Sequence, residues 1–212
     1  MMTMLRKLAI ILVGVLITTA AFVSIPSDPA YASLSSSEQQ ELLDAHNQYR
    51  RQVQPTASNM RELKWNNTLA GVAQNYADKC TWGHNRNRTQ QVGGEFSYVG
   101  ENLYLTTNQN HQTTAPVDSW YSEVKDYDYA TNSSSGVTGH YTQVVWANTE
   151  YLGCGRTKCP SLVGLNWNNV AIVVCNYAQG GNYRGQKPYV AGTIASSCPS
   201  GYTASNGLCS AN

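Results

Sequence analysis

Six cysteines constrain this chain more than any other feature: Cys80, Cys154, Cys159, Cys175, Cys198 and Cys209. All of them lie downstream of a leader. Arg6 and Lys7 give a positive start, an apolar run follows from Leu8 to Leu16 and continues with small polar interruptions to Val23, and Pro26 and Asp28 break it. Ala30-Tyr31-Ala32 then offers a small-residue cleavage pattern before Ser33. This is the layout of a secretory signal peptide over residues 1–32, and its apolar core is short for a membrane span. The mature chain is therefore expected outside the cell, with no transmembrane segment once the leader is removed. In an oxidising compartment an even number of cysteines points to disulfides, here three. Spacing alone leaves their pairing open. Zinc ligation by cysteine is the weaker reading, because Cys154-x4-Cys159 has no second pair at finger spacing.

A chain of 212 residues suits one domain with a small appendage. Charged residues are only 13%, while tyrosine and glycine are abundant at 14 and 17. Without residues 1–32, which hold Arg6, Lys7 and Asp28, 12 basic side chains face 12 acidic ones. A neutral chain with no basic run is a poor partner for nucleic acid, whose binding rests on neutralised phosphates.

The order of elements can be read from periodicity and punctuation. Ser35 to Ser37 precede a helix running to Arg51, with Gln39 or Gln40 placed as the reciprocal capping partner. Acids crowd its first turn and arginines its last, and Leu42, Ala45, Tyr49 and Val53 recur at helical spacing. His46 on this helix reads as a hydrogen-bonded structural or surface histidine. A second helix is expected over Leu69–Cys80, capped by Asn66 to Thr68. Residues 85–98 read as a polar loop, and His111 as a solvated loop residue. A third helix is expected over Ala115–Tyr127, with Pro116 in its first turn and Val117, Trp120, Tyr121 and Val124 on one face. Glu123 stands beside that face.

Gly139 to Trp146 predicts a turn that delivers His140 onto the start of a core strand, because Val144, Val145 and Trp146 favour a pleated, half-buried backbone. Asn169–Tyr177 is the strongest strand in the chain. Gly180–Gly185 is glycine-rich but lacks a following helix and a Lys-Ser/Thr pair, so it is not a phosphate loop. Composition shifts after Lys187, and Cys198–Cys209 reads as a small loop closed by its own disulfide, since isolated thiols would be reactive in an oxidising compartment. The division is thus a domain over 33–190 and a tail over 191–212. Three glycosylation sequons begin at Asn66, Asn87 and Asn132.

Six motifs occur in order: Leu43 to Arg50, Trp82-Gly83-His84-Asn85, Gly100-Glu101-Asn102-Leu103, Trp120 to Glu123, Gly139 to Trp146, and Val174 to Asn182. In this the chain resembles the CAP superfamily, which holds cysteine-rich secretory proteins, insect venom antigen five and plant pathogenesis-related proteins of the first class. The likeness runs from about Ser35 to Pro188. It implies an α+β fold, a three-layer α-β-α sandwich around a small antiparallel sheet, stapled by disulfides. It also implies a cleft of two histidines and two glutamates, which map onto His84, His140, Glu101 and Glu123. In relatives the histidines bind a divalent metal, usually zinc, at an occupancy that two protein ligands would keep low. The bland alternative is a closed hydrogen-bond network that does no chemistry.

The same resemblance pairs Cys80 with Cys159 and Cys154 with Cys175, and leaves Cys198 with Cys209. A further family bridge would fall at Val99 or nearby and at Ala178, and both partners are missing together. The function it implies is that of a secreted binding protein for a metal, a sterol or a fatty acid, with Leu42, Tyr49, Trp120 and Tyr121 as candidate groove linings. One alternative is a metal-dependent hydrolase on His84 and His140 with Glu101 as base. The other is an extracellular interaction or defence protein that meets cell-surface or extracellular proteins and does no chemistry. No serine nucleophile is marked.

Overall fold

The computed structural model describes residues 33–212, and the leader expected over residues 1–32 lies outside the described residues. In chain order the elements are α1 (Ser36–Arg51), β1 (Lys64–Trp65), α2 (Asn67–Ala77), α3 (Arg88–Gln91), β2 (Gly100–Thr106), α4 (Ala115–Tyr121), a 3-10 turn (Ser122–Asp126), β3 (Tyr127–Asp128), β4 (Ser133–Ser134), α5 (Gly139–Val144), β5 (Tyr151–Ser161), β6 (Asn168–Ala178), β7 (Tyr202–Ser205) and β8 (Leu208–Ala211).

Helix α1 begins where serine can cap it. The Ser35 hydroxyl accepts from Glu38 N, and Glu38 Oε2 accepts from Ser35 N at 2.9 Å. The reciprocal partner is thus Glu38, and not Gln39 or Gln40, because only the third residue of the helix reaches back to the cap amide. Helix α2 is capped by Asn66, whose Oδ1 accepts from Leu69 N at 2.8 Å, and it ends at Ala77 rather than Cys80.

The main sheet has the order β1-β5-β6-β2. It is antiparallel except for β1, which adds two residues in parallel to β5. Alternation along β6 sorts the core into two layers. Val170, Ile172 and Val174 pack with Ala73, Tyr76 and Ala77 of α2, while Val173, Cys175 and Tyr177 pack with residues of α1, α4 and α5. Helices therefore cover both faces of the sheet, and the fold is the three-layer α-β-α sandwich. Two glycines of β5 let α2 lie directly on the strand. A Cβ at Gly153 would stand 2.2 Å from Ala70 N, and one at Gly155 would stand 2.3 Å from Gln74 Cα.

The region around His140 differs from expectation. Gly139–Val144 is a short helix, and Val145 to Asn148 form a turn instead of a core strand. Val144, Val145 and Trp146 are buried all the same, so their apolar character reports burial and not the pleat. The third expected helix also breaks: it is α-helical only to Tyr121 and tightens into the 3-10 turn that carries Glu123.

Three disulfides staple the molecule. Cys154–Cys175 joins directly opposed residues of β5 and β6, and Cys80–Cys159 ties the chain after α2 to the end of β5. Cys198–Cys209 ties the chain before β7 to β8, where Cys209 pairs with Ala204 near the turn of the hairpin. Val99 and Ala178, where the family's further bridge would fall, are fully buried in one apolar cluster. The hairpin docks on the loop after α1: Cys209 N donates to Met60 O at 2.7 Å, and Glu62 N donates to Cys209 O at 2.9 Å. Leu208 is fully buried in the same core as Leu42 and Trp120. No helix among the described residues is long and apolar enough to cross a membrane.

Candidate functional site

Strand β2 is an edge of the main sheet, with a partner on one side only. The four residues named by the resemblance gather along it as two separate pairs. Glu101 lies opposite Asn176, whose side chain reaches Leu69 O of α2, so Glu101 belongs to the α2 face. Its Oε1 accepts from His84 Nδ1 at 2.8 Å and from Asn85 N at 2.9 Å. Its Oε2 is buried and without a partner among the described residues. The His84 ring is 56% exposed, so the loop after Cys80 holds it over the edge by this carboxylate.

The second pair comes from the opposite face. The 3-10 turn aims Glu123 at the start of α5, where Oε2 accepts from His140 N and Tyr141 N, each at 3.1 Å. Helix starts leave such amides unpaired, and an anion there is favourable. The other oxygen, Oε1, accepts from His140 Nδ1 at 2.6 Å. Trp120 backs the imidazole in near-parallel orientation, with ring centroids 6.4 Å apart, and its Nε1 donates to Leu103 O of the edge strand.

Behind this pair runs a buried chain of hydrogen bonds. Asn102 Nδ2 donates to His140 O and to the Tyr177 hydroxyl, which donates to His46 Nε2 at 2.8 Å. His46 Nδ1 donates to Leu42 O at 2.7 Å. Burial lowers the His46 pKa to about 4, against a smaller upward pull from the Leu42 carbonyl, so the ring is neutral and its tautomer assigned by these partners. His46 is thus a structural histidine. His111 packs edge-on to Tyr104 and donates to Gln112 O, away from both pairs.

The arrangement has a definite chemical reading. Each Nδ1–H is spent on a carboxylate, so each ring is left to present Nε2. Carboxylate–histidine pairing fixes the tautomer and orientation of each ring. A neutral imidazole nitrogen left free in this way is by its chemistry a donor for a divalent metal. Among the described residues no group of three or more His, Cys, Asp or Glu is placed to hold a metal ion.

Beside His140 and Glu123 opens an apolar groove of about 320 Å³, lined also by Trp82, Leu103, Leu105, Trp120, Leu165 and Trp167. Trp82 and Trp167 are 39% and 48% exposed. Of the lipid-lining candidates only Trp120 reaches this groove. Leu42 is core, and Tyr49 stacks on Tyr121 at 4.0 Å.

Sequence reasoning missed Arg50. Its buried guanidinium donates to the carbonyls of Arg61, Val144, Trp146, Ala147 and Thr149, and so holds the turn that follows α5. A last-turn arginine looks like a helix-dipole partner, and nothing local marks it as buried.

The sequence profile described as the Cysteine-rich secretory protein family matches residues 43–177. Peptidase inhibitor 16 of Mus musculus is 42% identical over 179 residues, which cover 84% of this chain and 34% of that protein. The chain therefore spans about a third of the length of that relative. Among solved structures, Schistosoma mansoni venom allergen-like protein 4 is 30% identical with a TM-score of 0.61, covering 76% of this chain and 97% of that one. NaASP2, solved with Zn2+, is 23% identical with a TM-score of 0.60 over 80% of this chain and 92% of that one, and shows the shared fold. With the sandwich, the ordered motifs and a profile match across most of the described residues in agreement, the chain belongs to the CAP superfamily, the cysteine-rich secretory protein family.

Proposed function

We propose that this chain is an extracellular binding protein whose cleft takes a divalent metal, zinc foremost, on Nε2 of His84 and His140. The observation that carries this reading is the pairing of both Nδ1 atoms with carboxylates, at 2.8 and 2.6 Å, which leaves both Nε2 atoms for a ligand. Six cysteines in three disulfides support an oxidising location. Two protein ligands bind more weakly than three or four, so uptake is expected in the micromolar range and not as a permanent structural ion.

Titration of the purified chain with zinc chloride, followed by calorimetry and native mass spectrometry, tests it. One equivalent is expected, with His84→Ala and His140→Ala each weakening uptake by about tenfold or more. Uptake that survives both changes sinks the proposal.

The groove supports a second ligand. Its Trp, Leu and Tyr lining suits the hydrocarbon of a sterol or fatty acid, with the polar head toward His140 and Glu123. Labelled cholesterol and palmitate should bind the native chain and lose binding in Trp167→Ser. The hydrolase reading gains no separate observation, since Glu101 spends one oxygen on positioning His84 and the Asn85 amide.

A further inference from the structure

Away from the His/Glu cleft, two adjoining concavities of about 390 and 430 Å³ share Trp146 and Gln186. Neither shares a lining residue with the apolar groove, so this is a separate surface. Its chemistry is unusual in what it combines. Neither lobe has an aspartate or glutamate in its lining, yet together they present five side-chain amides: Asn59, Asn132, Asn148, Asn182 and Gln186. Aromatic faces stand among them, notably Tyr127, Tyr129 and Tyr183. The cations are Arg184 and Lys187.

This lining rejects most ligand classes. A metal ion or a basic peptide would want carboxylates. A hydrocarbon tail would cover the remaining donors and acceptors of these amides without pairing them, at a cost. Nucleic acid would want a run of cations, and two on a neutral chain do not supply it. What remains is a hydroxyl-rich molecule with flat C–H faces. A side-chain amide carries both donors and an acceptor, which matches neighbouring hydroxyls. A tyrosine face takes the apolar side of a pyranose ring, and tyrosine and asparagine supply adaptable contacts at low entropic cost.

The surface is also preformed. Asn182 is held at both ends of its amide, donating to Gly139 O at 2.8 Å and accepting from Thr142 Oγ1 at 2.7 Å. Tyr127 fixes Asn132 through a hydrogen bond of 2.7 Å. The Trp146 ring is pinned under Gly181, where a Cβ would stand 2.5 Å from it. Tyr183 leans over that ring with centroids 6.0 Å apart and keeps 47% of its surface exposed. Lys187 donates to Ala130 O and stands over the Tyr129 ring at 4.6 Å. A rim ordered before binding does not lose that freedom on binding.

We propose that this double-lobed groove binds a glycan chain, with Tyr183 as the stacking platform and Arg184 facing any acidic group the chain carries. Affinity electrophoresis of the chain, produced in a host without N-glycosylation so that the sequon at Asn132 stays bare, tests it. Soluble β-1,4-glucan and mannan serve as neutral probes, and polygalacturonate and a sulfated galactan as acidic ones. Retardation by at least one probe is expected, weakened about tenfold in Tyr183→Ala. Arg184→Ala should weaken retardation by the acidic probes and leave the neutral ones unchanged, which tells the two sources apart. Both side chains are exposed, so the variants should keep the circular dichroism and the zinc uptake of the native chain. Absence of retardation by every probe, or retardation untouched by Tyr183→Ala, overturns the proposal while leaving the metal cleft to be judged on its own.

Discussion

Burial holds His46 neutral, and this makes the fold sensitive to mild acid. An unfolded chain binds a proton on this ring below about pH 6.5, whereas the folded chain does so only near the lowered value of about 4. The unfolded state thus takes up more protons between those limits. Stability from this residue is whole above pH 6.5 and is lost as pH falls toward 4, by roughly 3 kcal/mol in total. Urea unfolding at pH 7 and pH 4.5 should show the loss, and His46→Gln should show a shallower one because glutamine does not titrate. Arg50 is the other residue whose weight exceeds its visibility. Its guanidinium reaches five backbone carbonyls, so Arg50→Met should cost roughly 3 kcal/mol or more in chemical denaturation, by orphaning those acceptors. The role of His46 was partly legible and that of Arg50 was not. The periodicity of α1 placed Leu42 and Ala45 inside, but which polar residues share that face depends on carbonyls more than ninety residues away.

The elements were legible where local chemistry agreed with the fold. The cap residues Ser35 and Asn66 could be read from the chain because capping is a local bond, although the reciprocal partner of α1 is Glu38, and the apolar run of β6 could be read because the residues that favour the strand also bury it. Strand β5 escaped notice for the opposite reason. Gly153, Gly155, Arg156 and Lys158 break any apolar alternation, and the glycines are there for the close approach of α2. The segment after Gly139 misled because a short buried run has no period of its own. Helix α4 gives way at Ser122 and thereby turns Glu123 toward α5, a bend that only the partner helix explains. The candidate site residues could be named only through the ordered motifs, since no local pattern links His84 to His140. Their placement does depend on one staple. Cys80–Cys159 closes 79 residues just before the Trp82-Gly83-His84 loop. Replacing both cysteines by serine should cost about 4 kcal/mol in the chain-entropy picture and loosen His84. Thermal unfolding reads the first effect, and zinc titration reads the second as weakened uptake.

At the scale of the molecule, the C-terminal hairpin completes the core. Leu208 sits with Leu42, Val117 and Trp120 in one cluster, and Cys209 bonds to the backbone at Met60 and Glu62. Deleting residues 191–212 should therefore do more than trim an end. A large cavity, a lost disulfide and unpaired backbone together should remove several kcal/mol, which lowers the unfolding midpoint by about 10 °C in a scanning calorimetry comparison. An unchanged midpoint would mean that the body stands without the hairpin.

This closing piece also sets a timetable. A chain is made from its N-terminus, so α1 and the sheet emerge before Leu208 arrives to cover them. Until then the apolar surface that Leu208 covers faces solvent, and the nascent protein carries an exposed patch of the kind that chaperones hold. The hairpin acts as a latch over this core, and the Cys198–Cys209 bond holds the latch in shape.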